Sequence, residues 1–499
     1  MSIFFRFVNL DRQVYWQDEA ATSLRISGYS KIEVVQEVYN GQPITVAELR
    51  ERYQSPNPHK NLGDTLQVLM DKAEHPPLYY LMARFWAQLF GASVTSMRSL
   101  PAFISLLAFP AMYWLCQELF ASFLVSSIAI ALIAVSPVHI LYAKEARQYS
   151  LWIVIILLSS AALLRAMRQK NIRSWAIYGV TLVLGCYTHL FFALIALGHG
   201  IYLLIDQGLK LNQIVRGYLV TSAVGLLAFS PWIWVFIQYK NNSHYFDSIT
   251  TALGREISLD ELLGKWFRSV NRFFHDADLG TANLILVLFT AYSLYFVYRH
   301  TSKKVWWFIF TLFGVTTLTL GLPDLITGGQ RSVRTRYLIP CGLALELSMA
   351  YLLTVKLTQF RQIWQQRVWQ GVAVLLISAG VISNSISSQA ESWWHKNLAE
   401  TKYYPKMAEV INQGTNSLVI SDTSETNILS LSYLLNPEVT LQLVTEGNLP
   451  EMGHESSDRS RFVFAGSDGL IDRLSREKNL TLNRVFEQKR AKLWQIKQN

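Results

Sequence analysis

The sequence predicts an α-helical polytopic membrane protein with a small α/β extramembrane domain at its C-terminal end. Three observations carry that prediction. Only 16% of the 499 residues are charged, against about 25% in an average soluble domain. From Leu100 onward, apolar runs recur at lengths that suit spans of about 20 residues. After residue 386 these runs give way to short strand-like and helix-like segments. The formal net charge of +10 has its explanation in the loops between spans, since cytoplasmic loops collect Lys and Arg. Nucleic-acid binding is therefore not signalled. Cys116, Cys186 and Cys341 lie in or beside apolar runs without C-x-x-C spacing, so neither a disulfide framework nor a zinc site is indicated.

Residues 1–100 read as a first outer loop, because no run there can cross a bilayer. Met1 to Val8 has the look of the last two turns of a helix, so one further span is expected upstream. Within this loop, Pro76 to Leu89 places aromatics and leucines at helical spacing. The segment is too short to span and suits a helix lying in the membrane interface. Ten spans follow, at 101–119, 122–141, 151–167, 175–188, 190–205, 217–238, 282–298, 305–322, 337–355 and 368–386. A single helix over 175–205 would measure about 46 Å at 1.5 Å per residue, too long for a core of about 30 Å. Two short helices are expected there.

The clusters Arg165/Arg168/Lys170/Arg173, Lys210/Arg216, Arg299/His300/Lys303/Lys304 and Lys356/Arg361/Arg367 mark the cytoplasmic side. Residues 1–100, 142–150, 239–280, 323–336 and 387–499 then face outward. The expected domains are 1–100, the helical 101–386, and 387–499. In the last, Ser417–Asp422 and Arg461–Gly466 read as buried strands, and 404–411 and 468–477 as helices. No internal repeat is visible.

Four stretches could carry chemistry. Asp18-Glu19 follows Tyr15-Trp16 and precedes Arg25. Such a pair is either a solvated loop feature or a source of a general base with a raised pKa. His75-Pro76-Pro77-Leu78-Tyr79 is a rigid corner before a helix, and His75 could also reach a substrate or metal. Lys144-Glu145-Ala146-Arg147-Gln148-Tyr149 sits between two spans, as an interfacial cap or a functional cluster. Arg331, Arg334, Arg336 and Tyr337 form a basic cluster on the outward side, against the charge rule, and Arg98 could join them. Arginine suits bidentate phosphate recognition, whether of a substrate or of anionic head groups. His189 and His199 read as packing or interface residues.

Taken in order, the aromatic-flanked Asp-Glu, His-Pro-Pro-Leu-Tyr-Tyr, an Arg before Leu-Pro, Tyr-Ala-Lys-Glu-Ala-Arg-Gln-Tyr-Ser-Leu and Arg-Tyr-Leu-Ile-Pro resemble the GT-C superfamily of integral-membrane glycosyltransferases. Within it the chain resembles the group containing protein O-mannosyltransferases and the aminoarabinose transferases of lipid A, over about residues 5–345. The resemblance implies a bacterial inner-membrane enzyme with its active site facing the periplasm. It implies a polyprenyl-phosphate-linked sugar donor, a lipid, glycan or protein acceptor, and inverting transfer. Asp18 would be the general base, Glu19 its support or an acceptor contact, and Glu145 the second-loop acidic residue. Arg98, Arg147, Arg334 and Arg336 would hold the lipid phosphate. His75, Tyr79, Tyr149, Arg331 and Tyr337 complete the expected substrate-binding set. Membrane lipids are the other expected partners. A divalent cation could be bound by carboxylates, although no ligand cluster stands out. Two departures matter: relatives often carry Asp where Glu145 stands, and the span that would precede Asp18 is missing. A flippase of lipid-linked sugars, without covalent chemistry, is the competing reading. Against it stand the lack of a repeat and the placement of the charges at the outer surface.

Overall fold

The computed structural model describes residues 2–242, 257–359, 362–396, 400–445, 459–476, 480–488 and 491–498. Part of the expected outward loop 239–280 thus lies outside the described residues. Two compact units emerge. A helical unit comprises Met1–Val8, Lys72–Tyr79 and Pro101–Ile386; a sheet unit comprises Asn9–Asp71, Tyr80–Leu100 and Ser387–Asn499.

Each of the ten expected spans is helical. Among the described residues, seven helices are long and apolar enough to cross a membrane: Val94–Phe120, Tyr149–Gln169, Gln213–Lys240, Gly280–His300, Lys303–Thr327, Thr335–Thr358 and Ile363–Gln389. The stretch 175–205 is two short helices, Ile172–Thr188 and Phe192–Gln207, as its length required. The stretch 122–141 differs from expectation. It is a pair, Phe123–Val135 and Pro137–Ala143, bent by 59°.

The bend follows from Ser136 and Pro137. Ser136 is extended, at φ −62° and ψ 121°, and Pro137 has no N–H to continue the ladder. Carbonyls at the break lose their helical donors, and an unsatisfied carbonyl in a membrane interior is costly. Arg6, only 1% exposed, supplies two replacements, donating to Ile133 O and Ala134 O at 3.3 Å each. Asn384 donates to Val135 O at 2.8 Å. Gly380 makes that approach possible, since a Cβ there would lie 2.5 Å from the Val135 carbonyl oxygen. The bend aims the chain into the turn Lys144–Gln148. A buried pair pins its second half: His139 Nε2 lies 2.9 Å from Glu346 Oε2 on the helix Ile339–Thr358.

In the sheet unit, six strands lie in the order β1-β3-β2-β4-β6-β5: β1 Asn40–Thr45, β2 Leu418–Ser421, β3 Thr440–Val444, β4 Arg461–Phe464, β5 Leu480–Gln488 and β6 Ala491–Gln498. β2 is parallel to β3 and to β4, and the other pairings are antiparallel. Parallel neighbours need a crossover, which the helix Glu425–Ser432 provides between β2 and β3. Leu418, Ile420, Val444, Val463 and Ile496 of the sheet form a core with Leu470 and Leu474 of the helix Asp468–Arg476. The expected strands at 417–422 and 461–466 and helices at 404–411 and 468–477 are present. The division into separate 1–100 and 387–499 domains gives way to a shared one, because β1 pairs with β3. Tyr39 Oη also donates to Thr423 O at 2.7 Å, and Lys31 meets Glu425 at 2.6 Å. Helix Leu78–Phe90 is where an interfacial helix was expected, with Phe85, Leu89 and Phe90 exposed.

Candidate active site

Asp18 and Glu19 occupy the first turn of the helix Gln17–Ser27. Neighbours on a helix diverge by about 100°, so the two carboxylates do different things. Glu19 is wholly buried and Asp18 half-buried. Glu19 meets Arg98 through both oxygens, Oε1 to Nε at 2.8 Å and Oε2 to Nη2 at 2.7 Å, and Lys396 Nζ at 2.8 Å. Burial alone would raise its pKa, but the charges of Arg98 and Lys396 outweigh burial and hold the carboxyl down at about 2.

Arg98, expected to hold the lipid phosphate, is instead 1% exposed. Its other donors reach Leu10 O, Gln13 O and Val14 O at 2.6, 2.8 and 2.9 Å. All five guanidinium N–H groups are thereby engaged. The geometry assigns Arg98 and Glu19 to holding residues 10–19, which carry Asp18, rather than to substrate contact. The local sequence gives Lys396 no distinguishing mark; 377 residues separate it from Glu19.

The helical unit gathers a second cluster. Lys144, Glu145, Arg147, Gln148 and Tyr149 are all buried, Glu145 completely. Ser150 Oγ donates to Tyr142 O at 3.0 Å, and Arg147 N donates to Glu145 O at 2.6 Å, folding the turn tightly. Arg336 lies over the rings of Tyr149 and Tyr337, 5.8 and 5.3 Å from their centroids. Its loop is pinned by hydrogen bonds between Trp266 and Ser332 at 2.8 Å, Ser269 and Thr335 at 3.1 Å, and Arg272 and Thr335 at 3.3 Å. Arg331, expected on substrate, is 3.2 Å from the buried Asp324, while Arg334 is exposed. Arg147, Arg336, Tyr149 and Tyr337 therefore come together, and Arg331 and Arg334 stand apart from them. His75 Nε2 lies 3.9 Å from Glu74, and Tyr79 is fully buried. Among the described residues, no group of three or more His, Cys, Asp or Glu side chains is placed to hold a metal ion.

His189, read from sequence as a packing residue, belongs to this cluster. It stacks on Trp152 at 4.2 Å and lies 6.2 and 6.4 Å from the rings of Tyr149 and Tyr337. Burial first, then the charges of Arg147 and Arg336, push its pKa down to about 3. Its position in the break between two short apolar helices was the available signal.

Comparison with known proteins bears on this arrangement. Residues 74–235 match the family described as dolichyl-phosphate-mannose-protein mannosyltransferase. Crystal structures of ArnT from Cupriavidus metallidurans, bound to undecaprenyl phosphate and in the apo state, superpose with TM-scores of 0.57 and 0.54. Both are 12% identical; each match covers 99% of this chain, with 96% and 95% of the ArnT chains. The chain has the GT-C fold. The resemblance drawn from the order of its motifs is thus borne out. Comparison of the sequence with curated proteins finds no match. Within the GT-C fold, the matched family segment contains His75, Tyr79, Arg98, Glu145, Arg147, Tyr149 and His189, but not Asp18 or Arg336.

Proposed function

We propose that the chain transfers a sugar from a polyprenyl-phosphate donor to an acceptor hydroxyl at the outer face of the membrane, with inversion at the anomeric carbon. The observation that carries this reading is the gathering of Arg147 and Arg336 with Tyr149 and Tyr337 in the helical unit. Buried or ring-stacked guanidinium groups suit an anion whose charge grows in the transition state. Asp18 takes the proton of the acceptor hydroxyl. The freed oxygen bonds to the anomeric carbon as the bond from that carbon to the phosphate oxygen breaks. The phosphate departs on its lipid, and Arg147 and Arg336 hold the charge it gains. Glu145 lies within electrostatic range of Tyr142, as does Arg336, and serves as the fixed carboxylate of that cluster. The ArnT crystal structure with undecaprenyl phosphate supports this class of donor.

Purified protein in vesicles with a labelled polyprenyl-phosphate sugar and an extract of envelope acceptors tests the reading. Label leaving the lipid for an acceptor is the expected result. Passage of the intact labelled lipid across the bilayer, without release of sugar, would overturn it in favour of a flippase.

A further inference from the structure

The break between Ile172–Thr188 and Phe192–Gln207 fixes the state of one imidazole. The backbone N–H of Phe191 donates to His189 Nδ1 at 3.1 Å. A nitrogen that accepts this bond carries no proton, so in the neutral ring the proton sits on Nε2. His189 therefore presents an Nε2–H donor. Its ring stacks face to face on Trp152, 4.2 Å away and 11° from parallel. Trp152 is completely buried, and its indole N–H has no hydrogen-bond partner among the described residues. Buried donors are nearly always satisfied. Two neutral N–H donors thus share the cluster that holds Arg147, Arg336, Tyr149 and Tyr337.

We infer that His189 and Trp152 are substrate-binding residues, donating Nε2–H and Nε1–H to oxygens of the donor's phosphate ester. The inference rests on the reading of that cluster as a lipid-phosphate site. A neutral donor has an advantage here. It adds a directed hydrogen bond without a third cation beside two arginines, and the depressed basicity of His189 keeps it neutral.

His189 also fixes the turn into the following helix by accepting from Phe191 N–H through Nδ1, and two substitutions separate the roles. In His189→Asn, the side-chain oxygen can still accept from Phe191 N–H, but the distal donor is gone. In His189→Gln, a donor reaches the Nε2 position while the bond in the turn is lost. Binding of polyprenyl phosphate, with the matching polyprenol as control, is measured on the purified full chain, together with thermal unfolding. Wild type should prefer the phosphate. His189→Asn should unfold at the wild-type temperature yet bind polyprenyl phosphate about tenfold more weakly, the scale of one hydrogen bond to a charged group. His189→Gln should unfold earlier but keep most of the affinity, and Trp152→Phe should lose affinity at unchanged stability. Wild-type affinity in His189→Asn and in Trp152→Phe would overturn the inference while leaving the phosphate site standing. No preference of wild type for phosphate over alcohol would overturn both.

Discussion

Two arginine clusters among the described residues differ in what surrounds the guanidinium. In the sheet unit, Arg98 is closed by Glu19 and three carbonyls, with Lys396 on the same carboxylate. In the helical unit, Arg336 lies on the faces of two tyrosines, near a neutral histidine and an indole N–H that has no partner among the described residues. The first arrangement satisfies every donor and fixes backbone. The second sets the guanidinium against aromatic faces. Burial of an arginine is thus a poor guide to function; the chemistry of its partners decides.

The sharpest test of this contrast lies in two adjacent residues. Asp18→Asn should reduce transfer by about 10²–10⁴, the range for losing a general base, and leave thermal unfolding unchanged. Transfer rates and unfolding temperatures measured side by side check it. Full activity would remove Asp18 from the mechanism. Glu19→Ala should do the reverse. It strands two buried cations, and breaking a buried pair costs about 3–5 kcal/mol, so the protein should unfold at much lower temperature. A stable but inactive Glu19→Ala would return Glu19 to the catalytic set.

Acid titration refines the same point. The unfolded carboxyl titrates near 4.3, whereas folded Glu19 is held down at about 2 by Arg98 and Lys396 against the cost of burial. A depressed carboxylate stabilises the fold above its unfolded pKa and loses that contribution as pH falls through the folded value. The stability difference between wild type and Glu19→Gln should therefore stay constant above about pH 5 and shrink between about 4.3 and 2. Equilibrium unfolding of both proteins across that range measures it. A difference independent of pH would mean that Glu19 carries no such shift.

Much of the helical unit was legible because hydrophobic length is a local property. All ten apolar runs became helices, and the break in 175–205 followed from length alone. The bend at Ser136–Pro137 was signalled by its proline, but its supports were not. Arg6 and Asn384 reach the freed carbonyls from 128 and 249 residues away. β5 escaped notice because its alternation, Leu480-Thr481-Leu482-Asn483, is short and is interrupted at Arg484–Phe486, where the register with β6 shifts. β1 contains Pro43 and Gly41 and reads as a turn; pairing with β3 makes it a strand. In the site, residue type identified the arginines. Sequence shows the charge of Arg98 and not the carboxylate and carbonyls that surround it.

His139 and Glu346 give the smallest expected effect and a test inside the helical unit. Both are buried ionisable residues within expected spans, where such groups are costly and often functional. They form a buried pair at 2.9 Å between the bent helix that leads into Lys144–Gln148 and the helix that follows Arg336 and Tyr337. Phe273 packs edge-on against His139, and a Cβ on Gly342 would fall 1.9 Å from its ring, so the helices are held close there. If this pair holds structure, His139→Asn and Glu346→Gln should weaken folding in detergent with a coupling energy of about 1 kcal/mol, the range for polar contacts between membrane helices. A double-mutant cycle on unfolding measures that coupling. The same variants should raise the KM for the lipid donor more than they lower kcat, because the pair positions the binding cluster and does not touch the reacting atoms. A loss confined to kcat would place the pair in the chemistry and break the distinction between closed clusters and ligand-facing ones.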